Sequence, residues 1–120
     1  MFFINSKHFK LFAIFAQICK YSRMNDIEIE KLASLLKALG EYNRLSIVCE
    51  LCQCKAPQNA MCLCSCCDVD ASGVSRHLKI LEQEGVLSSE KKGRQVTYSL
   101  NRKELASNLR ALADIVEINP

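Results

Sequence analysis

The sequence predicts a mainly α-helical domain with a β-hairpin wing, the winged helix-turn-helix class, and three observations support this prediction. Apolar residues recur with the 3.6-residue period of helices through most of residues 24–84. Over residues 86–100 the period changes to the alternation of strands, on either side of a Lys-Gly pair. Helical periodicity then returns. The predicted order is therefore helix, helix, short helix, helix, hairpin, helix.

Two helices open this region. The apolar positions of Ile27–Leu39 follow the helical period, and Gly40 is a typical C-terminal stop. Either Asn25 or Asp26 can cap the first turn. The second helix is predicted over about Asn43–Cys52, and its apolar face is predicted to consist of Leu45, Val48, Cys49 and Cys52. Because a free cysteine often behaves as a small buried hydrophobe, both cysteines of this face are expected to be buried.

The next two helices follow a break at residues 56–59. Ala60–Cys67 has room for two helical turns. Asp70 is a good N-cap for a longer helix over Ala71–Glu84, which Gly85 ends. The inward face of this longer helix is predicted to hold Val74, Leu78 and Leu81.

A hairpin and a last helix complete the domain. Val86–Lys91 and Gln95–Leu100 are predicted strands around Lys92-Gly93. Asn101, with Glu104 three residues later, resembles a capping box for the last helix. The apolar stripe of that helix consists of Leu105, Leu109, Leu112 and Val116. The first and last helices carry more leucine than one small domain can cover, which predicts a twofold homodimer, with intramolecular packing of the two helices as the alternative.

Residues 1–23 differ from the rest of the 120-residue chain. They contain all five phenylalanines and four basic residues but no acidic residue. Charged residues interrupt the apolar run that a signal peptide requires, and the longest uncharged stretch is too short to span a bilayer. We therefore expect residues 1–23 to be a dispensable extension, or the product of an upstream start, before a DNA-binding and dimerisation domain at residues 24–120, and we expect no membrane partner. A basic amphipathic membrane anchor is the alternative.

Local charge indicates a nucleic-acid partner, although net charge does not. The chain is formally +3, but residues 24–120 carry twelve basic and thirteen acidic residues. Residues 74–103 carry seven basic and three acidic residues, as is usual for a DNA-binding surface.

The predicted contacts to operator DNA lie on the Ala71–Glu84 helix and on the hairpin. The start of a recognition helix reaches base edges in the major groove, and basic residues beyond it neutralise phosphates. A wing reaches the DNA backbone or minor groove. The predicted assignment is Ser72, Ser75 and Arg76 to base or near-base contacts, Lys79 to phosphate, and Lys92 and Arg94 to the wing contact. A face that is only solvated is the alternative.

These segments resemble the ArsR/SmtB metalloregulatory repressors. The resemblance lies in the runs VSRHLKILEQEGVL (residues 74–87), KGRQVTYSL (92–100) and LKALGEYNRL (36–45). It implies a homodimeric repressor that releases its operator when an inducer binds. Cys62-Leu63-Cys64 is similar to the Cys-Val-Cys that many members carry before the recognition helix. Here Cys66 and Cys67 follow directly, and the connection to Asp70 is about one helical turn shorter than usual.

The eight cysteines are the unusual feature of the composition. Seven lie within residues 49–67, too close together for a framework of disulfides, which indicates metal or redox chemistry in a reducing cytoplasm. The last helix contains no histidine, so the family's zinc site there is not expected. Thiolates without imidazole select soft ions. We therefore expect arsenite, or another soft ion, as inducer, and no organic cofactor; the predicted ligands are three of Cys62, Cys64, Cys66 and Cys67.

The spacing of the four cysteines predicts how an ion would act on their helix. In a straight helix Cys62 would face Cys66 and Cys64 would face Cys67, so gathering three sulfurs should distort this helix.

A disulfide or iron-sulfur switch is the second hypothesis for the same cysteines. A cysteine-dependent enzyme has little support, because neither His8 nor His77 lies near an acidic partner at a telling spacing.

Overall fold

The computed structural model of the protein describes residues 24–118, and the predicted extension at residues 1–23, with Cys19, lies outside them. The order of helices and hairpin is the predicted one. One short strand and one 3₁₀ turn are added to it. The elements are α1 Asp26–Leu39, α2 Tyr42–Gln53, β1 Gln58–Asn59, α3 Ala60–Leu63, a 3₁₀ turn Cys64–Cys66, α4 Ala71–Gln83, β2 Leu87–Lys92, β3 Gln95–Leu100 and α5 Arg102–Ile118.

Side-chain caps begin the long helices. Asn25 forms the capping box of α1: its Oδ1 accepts from the Glu28 amide at 2.8 Å, and the Glu28 carboxylate accepts from the Asn25 amide at 3.0 Å. Asp70 caps α4 by accepting from the Gly73 amide at 2.8 Å, as predicted. Glu41 caps α2 by accepting from the Arg44 amide at 3.0 Å. The Asp70 cap confirms the prediction, the Asn25 cap decides between the two predicted candidates, and the Glu41 cap was not predicted.

The three strands form one antiparallel sheet in the order β1-β3-β2. Lys92 pairs with Gln95, so Gly93 and Arg94 form the two-residue loop of the hairpin. Gly93 has φ +62°, a conformation that glycine adopts without strain. The predicted Lys92-Gly93 turn is therefore shifted by one residue. β1, which pairs Gln58 with Tyr98, was not predicted because two residues carry no alternation.

The core lies where α2, α3 and α4 meet the sheet. Leu63, Val74, Leu78 and Leu81 are fully buried there, together with Ile47 of α2. By contrast, α5 contributes only Leu105 to the described buried core, and much of its apolar stripe faces outward.

Asn101 does not act as the predicted capping box. Its Nδ2 donates to the Gly85 carbonyl at 2.8 Å, and its Oδ1 accepts from the Ser88 hydroxyl at 2.7 Å. The side chain thus joins the end of the recognition helix to the hairpin. The Asn101 side chain therefore forms its hydrogen bonds with residues of the preceding hairpin region and not with the backbone amides of α5.

The segment with the cysteines is the largest difference from the predicted elements. The predicted helix over Ala60–Cys67 ends after one turn at Leu63, a 3₁₀ turn follows, and Cys67 is extended at φ −122° and ψ 146°. The straight-helix pairing of the four cysteines is therefore wrong. Within residues 24–118, no helix is long and apolar enough to span a lipid bilayer.

Candidate nucleic-acid interface and cysteine cluster

The recognition helix α4 has one buried and one exposed face. Val74, Leu78 and Leu81 are buried in the core. All four residues that the sequence predicts to contact DNA on this helix are exposed: Ser72, Ser75, Arg76 and Lys79. Short polar side chains stand in its first turns and basic ones follow, which suits base contacts at the start of the helix and phosphate contacts beyond it.

The hairpin presents the two predicted wing residues to solvent. Lys92 ends β2, and Arg94 occupies the loop beside Gly93. The Lys92 ammonium lies 3.8 Å from the Glu90 carboxylate, and both side chains are largely exposed. An exposed pair of this kind contributes little stability, so Lys92 can exchange this partner for a phosphate.

Arg102 is not part of the basic surface to which its charge was assigned. Its Nη2 donates to the carbonyl oxygens of Leu51, Cys52 and Cys54 at 2.9, 3.1 and 3.1 Å. The guanidinium therefore satisfies the C-terminal carbonyls of α2 and holds that end against the start of α5. The seven basic residues counted in 74–103 therefore include one, Arg102, that is bound to the end of a neighbouring helix. The sequence does not show this contact.

The cysteines before the recognition helix are brought together by the 3₁₀ turn. Cys66 Sγ lies 3.8 Å from Cys67 Sγ, and it donates to the Leu63 carbonyl at 2.9 Å. Cys67 Sγ lies 3.8 Å from the Asn43 carbonyl oxygen. Both residues, with Cys64, pack partly buried against the core, whereas Cys62 is exposed.

Cys67 is held as a neutral thiol. Partial burial raises its pKa, and the hydrogen bond with Cys66 and the charges of Cys66, Cys64 and Glu41 raise it further, to about 12. Cys64 begins the same 3₁₀ turn as Cys66 and packs partly buried against the same core. Within residues 24–118, no group of three His, Cys, Asp or Glu side chains is arranged to hold a metal ion. The segment must therefore rearrange to place three sulfurs around one ion.

Cys49 and Cys52 are exposed, so the prediction that they are buried is wrong. The buried face of α2 consists of Ile47, Val48 and Leu51, while Leu45 is 47% exposed. The observed buried face is rotated by about one residue from the predicted one. The sequence does not distinguish the two faces, because leucine and cysteine make the predicted face as apolar as the observed one. Cys54 caps the end of α2 and lines a pocket of about 450 Å³ with Lys55 and Arg102.

Comparison with known proteins decides the family. The family model described as bacterial regulatory protein, arsR family, matches residues 42–89, from α2 into β2. The arsenical resistance operon repressor of Bacillus subtilis (strain 168) is 35% identical over 80 residues, which is 64% of this chain and 72% of that protein. This chain belongs to the ArsR family.

Solved structures agree with this assignment. An ArsR-like transcriptional regulator from Rhodococcus sp. RHA1 is 31% identical, with a TM-score of 0.63 over 74% of this chain and 82% of that one. A structure described as a possible transcriptional regulator for arsenical resistance is also 31% identical, with a TM-score of 0.59 over 68% and 81% of the two chains. The family and the fold are those of winged helix-turn-helix DNA-binding transcription regulators and not of enzymes.

The first turn of α2 in this ArsR-family chain contains contacts that sequence reasoning missed. Arg44 Nη1 donates to His77 Nδ1 at 3.3 Å, and Glu41 Oε2 lies 3.7 Å from the same nitrogen. Partial burial would raise the pKa of Glu41, but hydrogen bonds from the Arg44 and Asn43 amides and the charges of His77 and Arg44 outweigh it and lower the pKa. His77 therefore packs against α2 from the recognition helix. No local pattern announces this contact, which joins residues 33 positions apart.

Proposed function

We propose that this protein is a homodimeric repressor that binds operator double-stranded DNA and is released when a soft thiophilic ion, arsenite in first place, binds its cysteine cluster. One observation carries the proposal: the Cys66 and Cys67 sulfurs lie 3.8 Å apart, just before the Asp70 cap of the recognition helix. The similarity to the arsenical resistance operon repressor of Bacillus subtilis supports a metalloid inducer.

The spacing of the two sulfurs suits shared coordination. Two thiolates that bind one ion at about 2.3 Å lie about 3.3 Å apart at the near-90° angle of three-coordinate arsenic and about 3.8 Å apart at a tetrahedral angle. The Cys66 and Cys67 sulfurs lie 3.8 Å apart, so a small approach brings them to the arsenic geometry. Cys64 is the proposed third ligand, because it lies in the same 3₁₀ turn as Cys66 and is partly buried with it. Cys62, which is exposed one turn earlier, is the alternative third ligand.

The proposed route from ion to DNA is short. Recruiting a third sulfur changes the 3₁₀ turn and displaces Cys66 Sγ from the Leu63 carbonyl. Val69 follows three residues later and packs tightly on Gly73: a Cβ on that glycine would lie 2.9 Å from the Val69 Cβ. A displacement of the cysteine segment therefore reaches the first turn of α4, and a ligand that binds the two arrangements unequally shifts their populations.

The DNA contacts are proposed as predicted from the sequence. Ser72, Ser75 and Arg76 face base edges, Lys79 faces a phosphate, and Lys92 and Arg94 form the wing contact. The exposure of all six side chains supports this assignment. An Arg76→Ala variant should lose specific affinity, whereas Lys79→Ala should weaken binding to all sequences and reduce its salt dependence.

The homodimer is proposed to form through α1 and α5. Exposed apolar side chains on these two helices support this interface: Ile27, Ile29, Leu36, Leu109 and Val116. A dimer places two recognition helices on half-sites about one DNA turn apart. Residues 24–120 are proposed to carry all of these activities, so a chain that starts at Met24 should match the full chain in DNA affinity and inducer response.

The test is operator binding by the reduced full-length protein, measured by fluorescence anisotropy on DNA from its own promoter during an arsenite titration. Release near stoichiometric arsenite is expected. Cys64→Ser, Cys66→Ser and Cys67→Ser should each remain on DNA, because each removes one proposed ligand. Cys49→Ser is the matched control, since this thiol is exposed on α2, and it should respond like wild type.

The pH dependence distinguishes the inducing ions. Arsenite is a neutral trihydroxide, so its condensation with three thiols forms three As–S bonds and releases three waters and no proton. A divalent cation that binds three protonated thiols releases three protons, and each makes the affinity rise about tenfold per pH unit. Release by arsenite should therefore be nearly constant from pH 6.5 to 8. Release by oxidant but not by arsenite would instead support the thiol-switch hypothesis. DNA binding that is unaffected by arsenite, by other soft ions such as cadmium or lead, and by oxidant would refute a sensing role for the cluster.

A further inference from the structure

The first turn of α2, Glu41–Arg44 (the α2 turn), contacts both the cysteine segment and the recognition helix. On one side, Asn43 Oδ1 accepts from the Asp68 amide at 3.2 Å, and the Asn43 carbonyl faces Cys67 Sγ at 3.8 Å. On the other side, Glu41 and Arg44 contact His77 Nδ1 at 3.7 and 3.3 Å. A chain of direct contacts thus joins Cys67 to the middle of α4 without passing through residues 69–76.

The α2 turn is internally braced, so it moves as one unit. The two Glu41 oxygens accept from the Arg44 amide at 3.0 Å and from Asn43 Nδ2 at 3.3 Å. Arg44 Nε also donates to the Ala38 carbonyl at 2.5 Å, which ties the turn to the end of α1. A displacement at Asn43 is therefore passed to Glu41 and Arg44 and is not absorbed between them.

Ion binding is incompatible with the Cys67–Asn43 contact. The thiol can donate its S–H proton to the Asn43 carbonyl, but an ion-bound thiolate has no proton to donate. The carbonyl oxygen then faces only sulfur lone pairs, which is repulsive both for an ion-bound thiolate and for a sulfur bonded to arsenic. Cys67 has to leave this position, and Asp68, the next residue, leaves the Asn43 side chain with it.

We propose that Asn43 is a positioning residue that holds the cysteine segment and, through Glu41, Arg44 and His77, the recognition helix in the DNA-binding arrangement. This inference rests on the proposed function, since it assigns to Asn43 part of the restraint that the inducer overcomes. Asn43 is not an ion ligand. It sets how much inducer is needed.

The prediction concerns Asn43→Ala in the full-length protein. Loss of a hydrogen bond of ordinary strength from the DNA-binding arrangement corresponds to about a fivefold shift in the equilibrium between the two arrangements. The arsenite concentration for half-release from operator DNA should therefore fall about fivefold. The affinity of the reduced, ion-free protein should fall less than twofold, because that protein stays mainly in the DNA-binding arrangement.

Ser65→Ala is the matched control. Ser65 lies in the same segment and donates to the Cys62 carbonyl at 3.2 Å, away from the α2 turn. It should leave the half-release concentration unchanged. A half-release concentration for Asn43→Ala that equals wild type would overturn the inference, and a higher one would make Asn43 part of the ion site instead. His77→Ala should also lower the half-release concentration. The free-energy change of the double variant should be smaller than the sum of the two single changes, because both residues act in one chain of contacts.

A second measurement needs no ion and separates this inference from the proposed function. In the reduced protein, Asn43→Ala should speed hydrogen exchange at the Asp68 amide and in α4 around His77, whereas Ser65→Ala should not. Unchanged exchange in α4 would refute the role of Asn43 whatever arsenite does. Faster exchange in a protein that arsenite fails to release would refute only the inducer and leave the restraint in place.

Discussion

At the residue scale, Cys67 shows how the fold changes ordinary chemistry. A free thiol is a moderate acid, yet partial burial, the hydrogen bond with Cys66 and nearby negative charge raise the pKa of Cys67 to about 12. The charges that raise it come from Cys66, Cys64 and Glu41. The same grouping that would make these thiols suitable for one soft ion keeps Cys67 protonated without one.

Cys67 should consequently react slowly with alkylating reagents at neutral pH. The pKa is raised to about 12, so far less Cys67 thiolate is present at pH 7.5 than for an ordinary thiol. The labelling rate should be at least about tenfold below that of an unfolded-chain cysteine, even though a more basic thiolate is intrinsically more nucleophilic. Iodoacetamide labelling followed by peptide mass spectrometry measures this rate.

Two controls belong to the labelling experiment. The exposed Cys49 shows in the same folded sample that the reagent is active. Labelling in urea should remove the protection of Cys67, because unfolding separates it from its neighbours. Equal labelling of Cys67 in the folded and unfolded protein would show that the surroundings do not suppress its ionisation.

At the element scale, the short connection between the cysteines and α4 constrains the recognition helix. Glycine is a poor helix former, yet Gly73 stands in the first turn of α4. The reason is a contact with Val69: a Cβ added at Gly73 would lie only 2.9 Å from the Val69 Cβ, so there is no room for a side chain.

Gly73→Ala should therefore destabilise the protein, although alanine is the better helix former. The gain in helix propensity is at most about 1 kcal/mol, and overpacking typically costs about 1–3 kcal/mol, so the free energy of unfolding should fall by about 1 kcal/mol. Urea unfolding measures this change. Ser72→Ala is the control, because Ser72 is exposed in the same turn, and it should be neutral or stabilising. A Gly73→Ala protein as stable as wild type would mean that Val69 yields without cost.

At the scale of the whole molecule, the distribution of apolar surface differs between the core and the outer helices. α4 buries Val74, Leu78 and Leu81, whereas 17-residue α5 buries only Leu105 among the described residues. Leu109 and Val116 on the same helix are 39% and 68% exposed. Nothing within residues 24–118 covers this stripe, which is the physical basis of the proposed dimer.

Leu109→Glu should convert the protein to a monomer and weaken operator binding. A buried unpaired carboxylate at the proposed interface is costly, and a monomer loses the gain from two linked half-site contacts, at least about a hundredfold in affinity. Sedimentation velocity and anisotropy measure the two effects. Leu45→Glu is matched in chemistry and exposure, at 47% on α2, and should remain dimeric. A dimeric Leu109→Glu protein would exclude α5 from the interface.

Sequence alone determined the order of the helices and the hairpin, the Asp70 cap, the buried stripe of α4 and the resemblance to the ArsR family, and it narrowed the first cap to Asn25 or Asp26, because periodicity and capping are local properties of the chain. The sequence located the cysteine cluster before the recognition helix, but it predicted one helix over Ala60–Cys67 where the structure has a single helical turn and a 3₁₀ turn. The reason is that closely spaced cysteines are compatible with both geometries. Only the tertiary structure decided that Cys49 and Cys52 face solvent, that Arg102 holds the end of α2, and that Glu41 and Arg44 meet His77. Each of these depends on contacts between residues distant in sequence, whose energies no local pattern contains.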